Sequence, residues 1–149
     1  MSKRLKVAFL CHLIALLSVA LIGVIYLFRG QFMPYHAVAL RKDWAGLDRA
    51  LQVLLLALMK AAGGGALATA VAMGILLLIP FRQGLYWARW AIPVVGLVWV
   101  LPNLYVSVWV ALNTPASPPW RYALVVVALL IAGFVLSMES KGTEQASPR

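Results

Sequence analysis

The stretch LDRALQVLLLALMKAAGGGALATAVAMGILLLI (Leu47–Ile79) decides how this chain is read. It stays apolar for longer than a bilayer is thick, yet it carries Lys60 close to the consecutive glycines Gly63, Gly64 and Gly65. A hydrocarbon core of about 30 Å takes about 20 helical residues. Counting back about 20 residues from Pro80 puts Lys60 at the hydrocarbon edge. There an ammonium reaches water along its own methylenes. No acidic residue lies within that depth to pair with it. The glycines belong to rows of small residues four apart: Ala61, Gly65 and Thr69; Ala62, Ala66, Ala70 and Gly74; Gly64, Ala68 and Ala72. Such rows let helix backbones approach closely in lipid. Gly63, Gly64, Gly65, Ala68 and Gly74 are therefore candidate packing residues, on a central helix with more than one neighbour. The competing reading is local unwinding at the glycines, as in the broken helices of transporters.

Composition agrees with a membrane solvent. Of 149 residues, 64% are hydrophobic and only 11% charged, against about 25% charged in soluble domains; mean hydropathy is +0.92. Apolar segments cover about 5–28, 47–79, 85–112 and 120–138. In lipid every backbone amide needs an internal partner, so these segments are helices. No alternating strand pattern with turn signals suggests a barrel. The fold class is all-α, a polytopic transmembrane four-helix bundle in one domain spanning 1–138, with an outer loop at 29–46 and a disordered polar tail at 139–149. The basic start with Lys3, Arg4 and Lys6 imitates a secretory signal, but the apolar run after it is about 22 residues, longer than the about 7–15 of a signal core. It reads as a retained helix. Leu10 before Cys11 is too large for a lipobox, and a lone cysteine forms no internal disulfide.

The net charge of +9 sits at segment ends, where basic residues set topology and touch anionic headgroups. With the N-terminus inside, Lys3, Arg4, Lys6, Arg82, Arg89, Lys141 and Arg149 face inward. Arg29, Arg41, Lys42, Arg49 and Arg121 face outward. This bias favours both termini in the cytoplasm of a multi-pass protein. The partners implied are the lipid bilayer and a homo-oligomer or membrane-complex partner; no basic patch suits nucleic acid.

Along the chain, His12 lies inside the first segment, where an ionisable group invites a functional reading; the favoured reading is a neutral ring bonded to a neighbouring helix or reaching the interface. In the outer loop, Leu40, Trp44, Leu47 and Leu51 recur at helical spacing and predict an interfacial amphipathic segment running into the second span. Trp44, Trp87, Trp90 and Trp120, with Arg82 and Arg89, are candidate interfacial anchors. Pro102 predicts a kink. Asn103 and Ser107, four apart, share a face and can bond another helix or line a small polar pocket with Tyr105. The last segment, without a polar side chain in ALVVVALLIAGFVL, reads as the most lipid-exposed helix.

Catalysis has little to stand on. A metal site wants three or four His, Cys, Asp or Glu ligands, and here two histidines lie near opposite faces beside one cysteine. No GxSxG, HExxH or P-loop pattern occurs. No catalytic residue, metal ligand or cofactor is assigned. The turn IPFRQGLYWARWA (Ile79–Ala91), opening the third of four helices, resembles small bacterial membrane proteins of the DoxX-like kind. The resemblance implies a four-helix bundle in an inner membrane and no catalytic residue. The expected role is a non-enzymatic accessory or structural component of a membrane complex, or a bundle binding lipid or a small molecule. The alternative is a small transporter or channel, with Lys60, Asn103 and His36 around an outward-facing polar cavity.

Overall fold

A computed structural model describes residues 2–138; the predicted tail at 139–149 lies outside the described residues. Helices and no strands occur among them. Four helices are long and apolar enough to cross a membrane. Helix α1 covers Lys3–Phe28, α2 Pro34–Leu40, α3 Arg49–Leu76, α4 Ala88–Asn113 and α5 Trp120–Met138.

Local chemistry sets these limits. The Ser2 hydroxyl accepts from the Leu5 amide at 3.3 Å and opens α1. Asp48 accepts from the Leu51 amide at 2.9 Å and opens α3. Both satisfy an amide that the first helical turn leaves without a partner. At the other end of α3, Pro80 lacks an amide hydrogen and its ring crowds the preceding turn. The backbone widens there into a π turn over Leu77–Phe81, the usual single-turn form of that geometry. Gly84 then reverses the chain at φ 79°, a conformation that costs glycine little. Helix α4 runs unbroken through Pro93 and Pro102.

The segment before α3 differs from the sequence expectation. No continuous amphipathic helix leads into the span. Helix α2 stops at Arg41, whose φ of 53° is left-handed. A 3-10 turn follows at Trp44–Gly46, and α3 begins only after Asp48. The apolar spacing is still used. Trp44, Leu47 and Leu51 pack with Phe32 and Met59 in a second cluster, while Leu40 stays exposed. The Gln52 side chain donates to the Trp44 and Leu47 carbonyls at 2.9 and 3.3 Å and ties the 3-10 turn onto α3.

The spans form a ring in the order α1, α3, α4, α5, with α5 closing against α1. Sequence neighbours are therefore antiparallel, as short connections favour. The seam of α1 is Leu5, Ala8, His12, Ala15, Val19 and Gly23, and that of α3 is Met59, Gly63, Ala66, Ala70 and Met73. Both repeat at three and four residues, the period that keeps one helical stripe inward. One expectation is corrected here. Helix α5 is not the most lipid-exposed span: Val126, Leu130, Gly133 and Ser137 are buried between α1 and α4, and α4 has the smallest buried share. Helix α3 does meet more than one neighbour, α1 and α4, while Ala61 and Ala68 are exposed.

Candidate functional site

Buried residues on α4 end at Val100. Beyond that point α4 leaves the axis unfilled, and a cavity of about 70 Å³ opens in the half of the bundle nearer α2. All four spans line it. Val19, Ile22 and Tyr26 come from α1, Ala62 from α3, Trp99, Asn103 and Ser107 from α4, and Tyr122 and Val126 from α5. None of the lining side chains carries a charge.

Hydrogen bonds fix its walls. The Tyr122 hydroxyl donates to the Ser18 carbonyl at 2.8 Å and joins α5 to its ring neighbour α1. The Tyr26 hydroxyl is hydrogen-bonded to that of Tyr35 on α2, so α2 is tied to the same end of the bundle. Burial, then the neighbouring Tyr26 hydroxyl, pushes the Tyr35 phenol above its ordinary range. The Asn103 side-chain amide donates to the Trp99 carbonyl at 2.7 Å, one turn back on α4.

Of the residues that the sequence groups around a polar cavity, the structure places only Asn103 in its wall. Ser107 joins it, as their spacing of four predicts. Tyr105 does not, being 70% exposed; Tyr26 and Tyr122 stand in its place. Lys60 is exposed, and its ammonium donates to the Leu27 carbonyl at 2.7 Å. That carbonyl belongs to the last turn of α1, where acceptors lack intrahelical partners and the helix end is negative. His36 sits in α2. Its Nδ1 accepts from the Met33 amide at 3.3 Å, and its ring packs edge-on to Tyr35 with centroids 4.2 Å apart. Burial lowers the His36 pKa.

The candidate packing residues also separate. Helix α3 is continuous through Gly63, Gly64 and Gly65. A Cβ on Gly63 would lie 2.7 Å from the Leu27 nitrogen and 2.9 Å from the Gly23 oxygen, so two backbones meet there. Gly64 has nothing within 4 Å, and Ala68 is exposed. A Cβ on Gly65 would lie 3.4 Å from the Trp99 indole nitrogen and one on Gly74 3.4 Å from Leu16, both without a backbone approach. Sequence reasoning missed three glycines that seat side chains or neighbours. Gly23 receives Leu67, Gly96 receives Leu130, and Gly133 receives the ring of His12.

His12 itself is fully buried, and both ring nitrogens lack a hydrogen-bond partner. Neither the interhelical bond nor the interfacial position considered from sequence is realised. The ring lies on Gly133 and edge-on to Phe81, with centroids 5.9 Å apart. Its position on the α1 seam, at the spacing of Ala8 and Ala15, is the signal that could have placed it inward.

The anchors behave in two ways. Trp87, Trp90 and Arg82 are exposed. Trp44 is half-buried in the second cluster, and Trp120 carries Arg121 over its ring at 5.3 Å. Arg89 does more than anchor. It donates to the Ser137 carbonyl at 2.9 Å and lies 5.7 Å from the Tyr86 ring centre. Ser137 is in the last turn of α5, so Arg89 serves α5 as Lys60 serves α1.

Among the described residues, no group of three or more His, Cys, Asp or Glu side chains is placed to hold a metal ion. No protein-family model, curated protein or solved structure matches the chain.

Proposed function

We propose that this protein is a membrane bundle that binds a small neutral molecule or lipid on its axis and acts as an accessory component rather than as an enzyme. The observation that carries this reading is the uncharged cavity walled by all four spans, with Asn103 and Ser107 in its lining. Elsewhere on the axis, in the half nearer the 82–87 turn, large side chains such as Phe81, Met73, Ile92 and Leu130 are fully buried. The space walled by all four spans lies at the level that carries the polar groups. A transporter reading has less support, because Lys60 is engaged by Leu27 and stands outside the lining.

The same reading places the chain in the inner membrane with both termini in the cytoplasm. The basic cluster Lys3, Arg4 and Lys6 before the first span supports that orientation, and the likeness of the Ile79–Ala91 turn to DoxX-like proteins supports that membrane. The cavity then lies in the outer half. Cysteine labelling from outside the cell, in a Cys11→Ser background, tests the orientation; an externally reactive residue 2 overturns it.

Thermal unfolding in lipid nanodiscs tests the binding. Neutral amphiphiles are expected to raise the midpoint of the native chain. Ala123→Phe, which fills the cavity from α5, is expected to abolish that rise. A native midpoint indifferent to every neutral amphiphile, or an equal rise in the filled variant, defeats the reading.

A further inference from the structure

The cavity wall holds more hydrogen-bonding capacity than the protein uses. The Asn103 amide nitrogen is engaged by the Trp99 carbonyl, but its side-chain oxygen has no protein partner. The Ser107 hydroxyl and the Trp99 indole N–H have none either. A serine within a helix ordinarily bonds a carbonyl one turn back, as Thr69 does here to Gly65 at 2.9 Å. Ser107 leaves that bond unmade beside an open space. In a membrane interior, polar groups without partners are costly. The wall therefore offers an acceptor, a donor and a hydroxyl that can act as either.

Charge narrows what answers it. No cation lines the cavity, since Lys60 and Arg89 are both held by helix-end carbonyls. An anionic head would enter without a counter-charge, at the high cost of an unpaired buried ion. A volume of about 70 Å³ is several times the ~10–15 Å³ that one water needs on a comparable measure. That admits a hydroxymethyl group. A hydroxyl both donates and accepts, so it can donate to the Asn103 oxygen while accepting from the Trp99 indole or Ser107. An attached chain has its easiest way out between α3 and α4. They meet least among the ring neighbours, and the α3 side there is small, with Ala62 in the lining and Gly65 next to Trp99.

We propose that the cavity seats the hydroxyl head of a single-chain neutral amphiphile whose hydrocarbon chain leaves between α3 and α4. This rests on the binding reading above and adds the head chemistry and the route. The test uses the full chain in phosphatidylcholine nanodiscs with two photoactivatable C16 probes. Both carry a diazirine beside the head; one ends in a primary alcohol, the other in a carboxylate. The alcohol is expected to label peptides holding Trp99–Ser107 and Tyr122–Val126. The carboxylate at pH 8 should label them at least tenfold less. Ser107→Ala combined with Asn103→Leu should reduce alcohol labelling at least tenfold, and Ser107→Thr, which keeps the hydroxyl, should retain it.

Equal labelling of these peptides by both probes overturns the head chemistry and leaves the binding reading standing. Labelling by neither overturns both. Undiminished alcohol labelling in the double variant shows a chain held by apolar contact alone and also overturns the proposal. If the double variant does not fold, Ser107→Ala against Ser107→Thr gives the same decision. Mass spectrometry of neutral lipids extracted with the purified chain separates the sources. A bound glycerolipid with a free hydroxyl identifies a membrane lipid, and a bound long-chain alcohol identifies a free one. Phospholipid alone at stoichiometric recovery overturns the proposal.

Discussion

Helix α3 meets α1 and α4 in opposite ways. Against α1 it presents Gly63, and two backbones touch across Gly23 and Leu27. Against α4 it presents Gly65 to the flat edge of Trp99, and above that level the helices part around a cavity. Without a hydrophobic driving force between helices in lipid, association rests on close van der Waals packing and interhelical hydrogen bonds. The α1–α3 contact uses both, since Lys60 bonds the α1 terminus beside the glycine crossing. The α3–α4 contact uses neither to the same degree. Strength and vacancy are thus divided between two faces of a single helix.

The comparison breaks most sharply at Gly63. Gly63→Leu drives a side chain into backbone atoms that cannot rotate away. A loss of about 3 kcal/mol or more is expected, at the upper end for overpacking, read by SDS-titrated unfolding. Gly64→Leu, next in sequence but facing open space, should stay within about 0.5 kcal/mol of the native chain. Equal effects at the two positions would remove the distinction.

A second contrast lies where α5 meets α1. Gly133→Ala puts a carbon 2.6 Å from the His12 ring and should cost about 1–3 kcal/mol. His12→Ala in the same chain should recover part of that loss, a coupling that a double-mutant cycle measures. Simple additivity would show that the ring shifts freely.

Lys60→Met keeps the length and apolar stem but loses the donor to Leu27. It should cost about 1 kcal/mol. Lys60→Arg should restore most of this; a neutral Lys60→Met would mean that lipid carbonyls serve the lysine equally well.

The smallest effect concerns α2. Burial holds the His36 pKa down, so the undocked segment takes a proton before the docked one. Docking is complete above the ordinary histidine value of about 6.5 and weakens as pH falls through it and on toward the lowered value. Protonation turns Nδ1 from an acceptor of the Met33 amide into a donor. After correction for intrinsic exchange rates, amide exchange across residues 34–40 should quicken severalfold from pH 7.5 to 5.5. His36→Gln should flatten that dependence, and a native profile already flat would contradict it.

The four spans were legible because three of the apolar runs exceed what a bilayer needs and the last, at 19 residues, comes close to it. Asn103 and Ser107 were legible as a pair because four residues are one helical turn. Their companions Tyr26 and Tyr122 lie on other helices, and no spacing within one segment reveals which helices face each other. The same limit governs the glycines. Small rows mark where close approach is allowed, so Gly63 and Gly64 look alike until α1 covers one and leaves the other. Gly23, Gly96 and Gly133 stand singly and gain meaning only from Leu67, Leu130 and His12 opposite them. Before α3 the apolar spacing picked out Trp44, Leu47 and Leu51, which do pack together, but also Leu40, which stays exposed; the left-handed Arg41 and the capping Asp48 divide between a turn and a helix what periodicity alone assigns to one helix.

Lys60 and Arg89 each hold the last turn of a neighbouring span, at opposite ends of the bundle. Each tie closes within a hairpin of consecutive spans, α1 with α3 and α4 with α5. The molecule is therefore two clasped halves, and each clasp can fasten as its second helix enters the bilayer, before the other half has been made. The halves then meet along two seams: α1–α5, with His12 on Gly133 and Tyr122 on Ser18, and the looser α3–α4.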